Sequence, residues 1–148
     1  MVPEQIEREV MIAAPIERVW AVITQPEHVG RWFGDAGAEI DLRPGGAINI
    51  TWRDWGTGYG IVERVEPPRY FSYRGALLGG TEVRDDNSTL VEFILTEENG
   101  GTRLRVVESG FHTLAIPVEE RIKQAEGNVE GWRIKTAELQ AYVAGLAA

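Results

Sequence analysis

The chain has 148 residues, 43% hydrophobic and 26% charged, with a formal net charge of −8. That size and balance predict one soluble globular domain over 1–148 that can bury its own core. The acidic balance argues against a nucleic-acid partner and against an anionic membrane surface, and the lack of cysteine excludes a disulfide frame or a thiolate site.

The N-terminal stretch MVPEQIEREV is charged and has no apolar leader core, and no apolar run approaches a membrane span. A cytoplasmic location is the expectation. Ile6 to Ala13 reads as a strand with Ile6, Arg8, Val10 and Ile12 on one face. Pro15 suits the first turn of a helix, and Ile16, Val19, Trp20 and Ile23 give it an apolar face. Pro26 ends or restarts that helix, and Val29, Trp32 and Phe33 form a second, shorter face stopped by Gly34.

Strands follow. Pro44-Gly45-Gly46 is a turn signal, Ile48, Ile50 and Trp52 alternate after it, and Tyr59, Ile61, Glu63 and Val65 alternate in turn. Pairing Trp52 with Tyr59, Ile50 with Ile61 and Ile48 with Glu63 makes Arg53 to Gly58 a six-residue hairpin loop, with Trp55 as an exposed turn aromatic or a stacking platform. The Gly56-x-Gly58-x-Gly60 spacing is not that of a phosphate cradle. Pro67-Pro68-Arg69 marks the next turn, and Phe71 and Tyr73 share a face beyond it. Residues 75–88 read as a loop with room for a short strand. Val91, Phe93 and Leu95 then pair through the Asn99-Gly100-Gly101 turn with Leu104, Val106 and Glu108, with Phe93 opposite Leu104.

The last third is helical. Val118, Ile122, Ala125, Val129, Trp132, Thr136, Leu139, Val143 and Leu146 repeat at alternating steps of four and three, a single stripe down one helix. Gly127 and Gly131 interrupt it and signal a bend or close packing. One long amphipathic helix and one antiparallel sheet with one apolar face cover each other best if the sheet curls around the helix. The fold class is therefore α+β: a curved antiparallel sheet wrapped around a long C-terminal helix, with two short helices after the first strand.

Catalytic motifs are absent. His28 and His112 stand alone, no zinc-binding spacing exists, no serine sits in a nucleophile elbow, and neither a metal nor a cofactor is expected. Asp85-Asp86 reads as a solvated pair. Glu108 breaks the pattern, because it continues the inward phase of Leu104 and Val106. It is either a buried ligand anchor or general base with a raised pKa, or a strand-end group paired with Arg74 or Arg105. His112 follows closely and reaches the same rim or caps the final helix. Trp52 and Tyr59 line a cavity mouth or fill core.

Several motifs, in order, resemble a known family: Pro15-x-x-x-Val19-Trp20-x-x-Ile23-Thr24-x-Pro26 with Arg31-Trp32-Phe33, then Arg43-Pro44-Gly45-Gly46, Gly60-x-Val62-Glu63, Pro67-Pro68-Arg69, Gly101-Thr102-Arg103-Leu104, Ser109-Gly110-Phe111 and Gly131-Trp132. They span nearly the whole chain and are similar to the START-like (SRPBCC, Bet v 1-like) superfamily, in the branch named for the activator of the heat shock protein 90 ATPase. The resemblance implies a helix-grip fold. It also implies a space between sheet and helix in which superfamily members hold lipids, sterols, hormones or polyketides, some acting as cyclases or hydrolases. The matched motifs are turns, packing aromatics and caps, so no catalytic residue is carried over, and neither is the namesake's co-chaperone role.

Three readings follow. The first is binding of a small hydrophobic or aromatic molecule in a cavity formed by Trp52, Tyr59, Phe71, Tyr73, Phe93, Glu108 and Trp132. The second is an enzyme using Glu108 with His112 or Tyr73. The third is a chaperone-associated interaction module with a filled core. A homodimer is compatible with all three.

Overall fold

The computed structural model describes residues 1–78 and 82–146. In chain order these are strand β1 (Gln5–Ile12), helices α1 (Ile16–Thr24) and α2 (Pro26–Trp32), strands β2 (Ala38–Ile40), β3 (Ala47–Trp52), β4 (Gly56–Glu66), β5 (Tyr70–Ala76), β6 (Ser88–Glu98) and β7 (Gly101–Ser109), a 3₁₀ turn (Phe111–Thr113) and helix α3 (Val118–Leu146). The strands form one antiparallel sheet in the order β1-β7-β6-β5-β4-β3-β2. One antiparallel sheet and one long C-terminal helix are what the period-2 and period-3.6 patterns predict, and together they form the helix-grip fold that the resemblance implies. Pro26 restarts the helix rather than ending it. Of residues 75–88, Gly75 and Ala76 complete β5, Ser88 opens β6, and 79–81 lie outside the described residues.

Turn chemistry sets the registers. Asn99 and Gly100 both adopt left-handed backbone, with φ of 53° and 81°, which closes β6 and β7 through a two-residue turn. Phe93 therefore faces Val106, and Leu95 faces Leu104, two residues from the expected pairing but on the same sheet face. The β3–β4 hairpin departs further. Its loop is only Arg53 to Trp55, closed by Gly56 at φ 105°, so Trp52 pairs with Gly56, Ile50 with Gly58 and Ile48 with Gly60. The expected pairing is displaced by three residues, and an odd displacement reverses the faces. Glycines, not Tyr59 and Ile61, lie across from the inward side chains of β3. Glu63 is exposed and pairs with Arg74 at 3.4 Å.

Helix α3 spans about 43 Å at 1.5 Å per residue and is fixed at both ends. Near its start Arg121 Nε donates to the Leu114 carbonyl at 2.8 Å. Near its end Leu139 and Val143 are buried, and Gln140 Nε2 donates to the Met11 carbonyl at 2.7 Å. The apolar stripe is not buried throughout. Ala125, Trp132, Thr136, Leu139 and Val143 are inside, but Val118, Val129 and Leu146 are exposed. Val118 and Leu146 stand at the helix ends. At the level of Val129 the polar Asn128 turns toward the sheet instead, where its Nδ2 donates to Glu108 of β7. Gly127 and Gly131 face open space rather than a close neighbour.

Two positions on the same stripe thus make a direct comparison. Leu139 is 0% exposed and Val129 is 50% exposed. Leu139→Ala should lose about 2–5 kcal/mol of unfolding free energy, the range for truncating a packed leucine. Val129→Ala should change it by less than about 0.5 kcal/mol, as a surface substitution does. Urea denaturation of both variants measures this.

Candidate functional site

Where α3 passes over β3 to β7, helix and sheet separate and leave a cavity of about 350 Å³. Ile48, Ile50 and Trp52 form one wall and Tyr73, Val91 and Glu108 another. Asn128, Gly131, Trp132, Ile134 and Lys135 of α3 form the roof, and Phe33 closes the side below α2. Trp55, 70% exposed, and Ile134, also exposed, mark the mouth. The space has a local cause in the sequence. Gly58, Gly60 and Gly75 lie along the floor, where any other residue would project a side chain. A Cβ on Gly58 would stand 3.2 Å from the Trp52 ring, one on Gly75 3.2 Å from the Tyr73 ring, and one on Gly60 2.7 Å from the Arg74 carbonyl oxygen. The missing side chains let the two rings lie over neighbouring strands.

The aromatics are held in place. Trp52 Nε1 donates to the Phe33 carbonyl at 2.8 Å, and its ring meets Trp55 edge-on at 5.4 Å. Phe33 stacks on Trp132 at 5.5 Å. Trp132 in turn presents its edge to Phe93 at 5.9 Å.

Glu108 is the polar centre. It sits between Val91 of β6 and Ile6 of β1 and is 2% exposed. Thr89 Oγ1 donates to Oε2 at 2.5 Å, Trp132 Nε1 to Oε1 at 2.8 Å, and Asn128 Nδ2 to both oxygens at 3.0 Å. This is why Asn128 rather than Val129 faces the sheet. Burial pushes the Glu108 carboxyl above the usual carboxylate range, and the bonds from Thr89, Trp132 and Asn128 pull against that rise. Tyr73 is also buried. Burial first, and the Glu108 charge second, push its phenol upward, so it stays a neutral donor.

Of the residues expected at a cavity, Trp52, Tyr59, Tyr73, Glu108 and Trp132 border it. Tyr59 does so from between Gly58 and Gly60, on the strand's outward phase. Phe71 and Phe93 do not border it. They stack on each other at 5.9 Å as solid core behind Tyr73. His112 is exposed on the 3₁₀ turn and does not border the cavity. Neither arginine considered for Glu108 reaches it, because Arg74 pairs with Glu63 and Arg105 with Glu7. Sequence reading missed Thr89, Asn128 and Phe33. Thr89 continues the inward alternation of Val91, Phe93 and Leu95, and Asn128 stands one turn before Trp132, so both were detectable once Glu108 was placed inside. Among the described residues no group of His, Asp or Glu is arranged to hold a metal ion, and no helix is long and apolar enough to cross a membrane.

The family model described as Activator of Hsp90 ATPase homolog 1-like protein matches residues 13–144. The chain belongs to that family. Among solved structures, protein MLL2253 from Mesorhizobium loti superposes with a TM-score of 0.78 at 24% identity, covering 95% of this chain and 96% of that one. CalU16 from Micromonospora echinospora gives 0.71 at 25% identity, over 95% and 74%. The Aha1 dimer from Colwellia psychrerythraea gives 0.74 at 15% identity, over 94% and 95%. No curated protein matches the chain by sequence. What these structures share with it is the fold.

The buried carboxylate makes stability pH-dependent. Because its folded-state pKa is raised, the native state holds the proton more tightly than the unfolded chain does. The contribution of Glu108 is therefore most favourable below the unfolded carboxylate pKa and is lost as pH rises through the folded one. Glu108→Gln removes this term. The melting temperature of wild type minus that of the variant should fall as pH rises from about 4 to 8, measured by calorimetry. A flat difference would contradict the assignment.

Proposed function

We propose that the protein binds a small apolar or aromatic molecule in this cavity. The observation that carries the reading is a preformed space of about 350 Å³, walled by aromatic and aliphatic side chains and holding one fixed polar group. That combination is typical of small-ligand sites, in which apolar walls supply affinity and few polar groups supply orientation. The glycines along the floor and Gly131 in the roof keep the space open, and a core evolved only for stability would fill it.

An acid–base enzyme is less favoured by the geometry. Both Glu108 oxygens already accept two hydrogen bonds each, so a proton taken from a substrate would displace a donor. The group nearest in role, Tyr73, is buried as a neutral phenol, and its shift does not bring it toward neutral pH.

Gly131 provides the test, because a Cβ there would meet no neighbouring side chain or strand within 4 Å. Gly131→Ala should raise stability by up to about 1 kcal/mol through helix propensity. Gly131→Leu should keep the fold and project into the cavity. Binding of the neutral fluorophore N-phenyl-1-naphthylamine, followed by its emission, should weaken at least about tenfold in Gly131→Leu, the loss of roughly 1.4 kcal/mol. Unchanged binding in that variant, or no binding to wild type, would overturn the proposal.

A further inference from the structure

Glu108 is a buried acid surrounded only by neutral groups. Its three partners are a hydroxyl, an amide and an indole, and no cation contributes to its environment. The hydrogen-bond partners favour the ionised form, against the rise that burial imposes. Indole N–H and amide N–H₂ can only donate, and Asn128 turns its Nδ2 to the carboxylate while its Oδ1 accepts from Gln124 Nε2 at 3.0 Å. A protonated Glu108 could give its proton only to Thr89 Oγ1, and the Thr89 hydroxyl hydrogen would then lose its acceptor. Only the carboxylate satisfies every member of the network.

The charge is therefore solvated by dipoles but not neutralised. The basic group nearest the cavity, Lys135, stands at the mouth, where its Nζ pairs with Glu138 at 3.4 Å. Beside Glu108, the Tyr73 hydroxyl borders the cavity and feels the carboxylate charge, but no hydrogen bond contributes to its state. Among the described residues no hydrogen bond satisfies it, which leaves it open to a cavity occupant. The remaining walls are aliphatic and aromatic, the aromatic share including Trp52 and Trp132. Aromatic faces attract cations, more strongly when water is excluded. The net charge of −8 draws cations toward the protein and repels anions.

We infer that the ligand of this cavity is an aromatic or alicyclic molecule bearing a protonated amine, seated with its ammonium group between the Tyr73 hydroxyl and the Glu108 carboxylate. The ammonium donates a hydrogen bond to the Tyr73 oxygen and supplies the positive charge that Glu108 lacks. The Glu108 oxygens keep their four protein bonds, so the carboxylate acts through its field and needs no vacant lone pair. Carboxylate ligands of the same shape are rejected, because they would bring a second negative charge into the same low-dielectric space. This inference rests on the cavity being the binding site, and the test separates the two claims.

Three probes of one shape and different charge suffice: 1-naphthylmethylamine, 1-naphthalenemethanol and 1-naphthoate, titrated into the wild-type protein at neutral pH by calorimetry. The amine should bind at least about tenfold tighter than the alcohol, and the naphthoate more weakly than the alcohol. In Glu108→Gln the amine's advantage should shrink to within about threefold while the alcohol still binds, and Tyr73→Phe should weaken the amine more than the alcohol. The wild-type series decides the matter even if Glu108→Gln does not fold. Alcohol binding equal to or tighter than amine binding overturns the cationic ligand and leaves the cavity reading standing. Failure of all three probes to bind overturns both.

Discussion

The structure depends on how one carboxylate is held away from water. Glu108 lies on β7, and its hydrogen-bond donors come from β6 and from the middle of α3. Leaving a buried donor or acceptor unpaired costs about 1–3 kcal/mol, and more for a charge. The sheet and the helix are thereby coupled at a point where they do not pack together. An apolar contact would have drawn the two surfaces into contact; the Glu108 network sets their separation at the length of the Asn128 and Trp132 side chains.

The cavity follows from that spacing together with two further constraints. Helix α3 is anchored beyond the cavity at both ends, by Arg121 on one side and by Leu139, Val143 and Gln140 on the other. Its central turns are therefore suspended over the sheet. Beneath them, Gly58, Gly60 and Gly75 contribute no side chains. The walls that remain are rings locked by their own contacts, such as Trp52 to the Phe33 carbonyl and Phe33 on Trp132. A site assembled from ordered side chains needs little rearrangement to accept a ligand, and that lowers the entropic cost of binding.

Much of this was legible in the sequence because it is periodic. The 3.6-residue stripe located α3 and placed Trp132, Thr136, Leu139 and Val143 inside. Period-2 alternation placed Glu108 on the buried face, and the side chain is buried there rather than reaching water at a strand end. The failures share a physical origin. Alternation is read from side chains, and glycine has none, so the inward phase of β4 passed unseen and the outward Tyr59 and Ile61 took its place. The Arg53 to Trp55 turn is three residues shorter than the pattern suggested, because Gly56 can adopt a positive φ within the ladder. Periodicity also cannot distinguish a wall from a core. Phe71, Tyr73 and Phe93 carry the same inward signature, and only the packing of the helix decides that Tyr73 borders space while the other two are enclosed.

The five tryptophans allow the central claim to be tested in one spectrum. The indole N–H of Trp132 donates to Glu108 and that of Trp52 to the Phe33 carbonyl, and both rings border the cavity. Trp20 packs edge-on against Phe71 and does not border it. In a ¹⁵N–¹H titration with 1-naphthalenemethanol, the account predicts that the Trp132 and Trp52 indole signals shift together and saturate while the Trp20 signal stays in place. Shifts confined to Trp20 or to surface amides, with Trp132 and Trp52 unmoved, would contradict it.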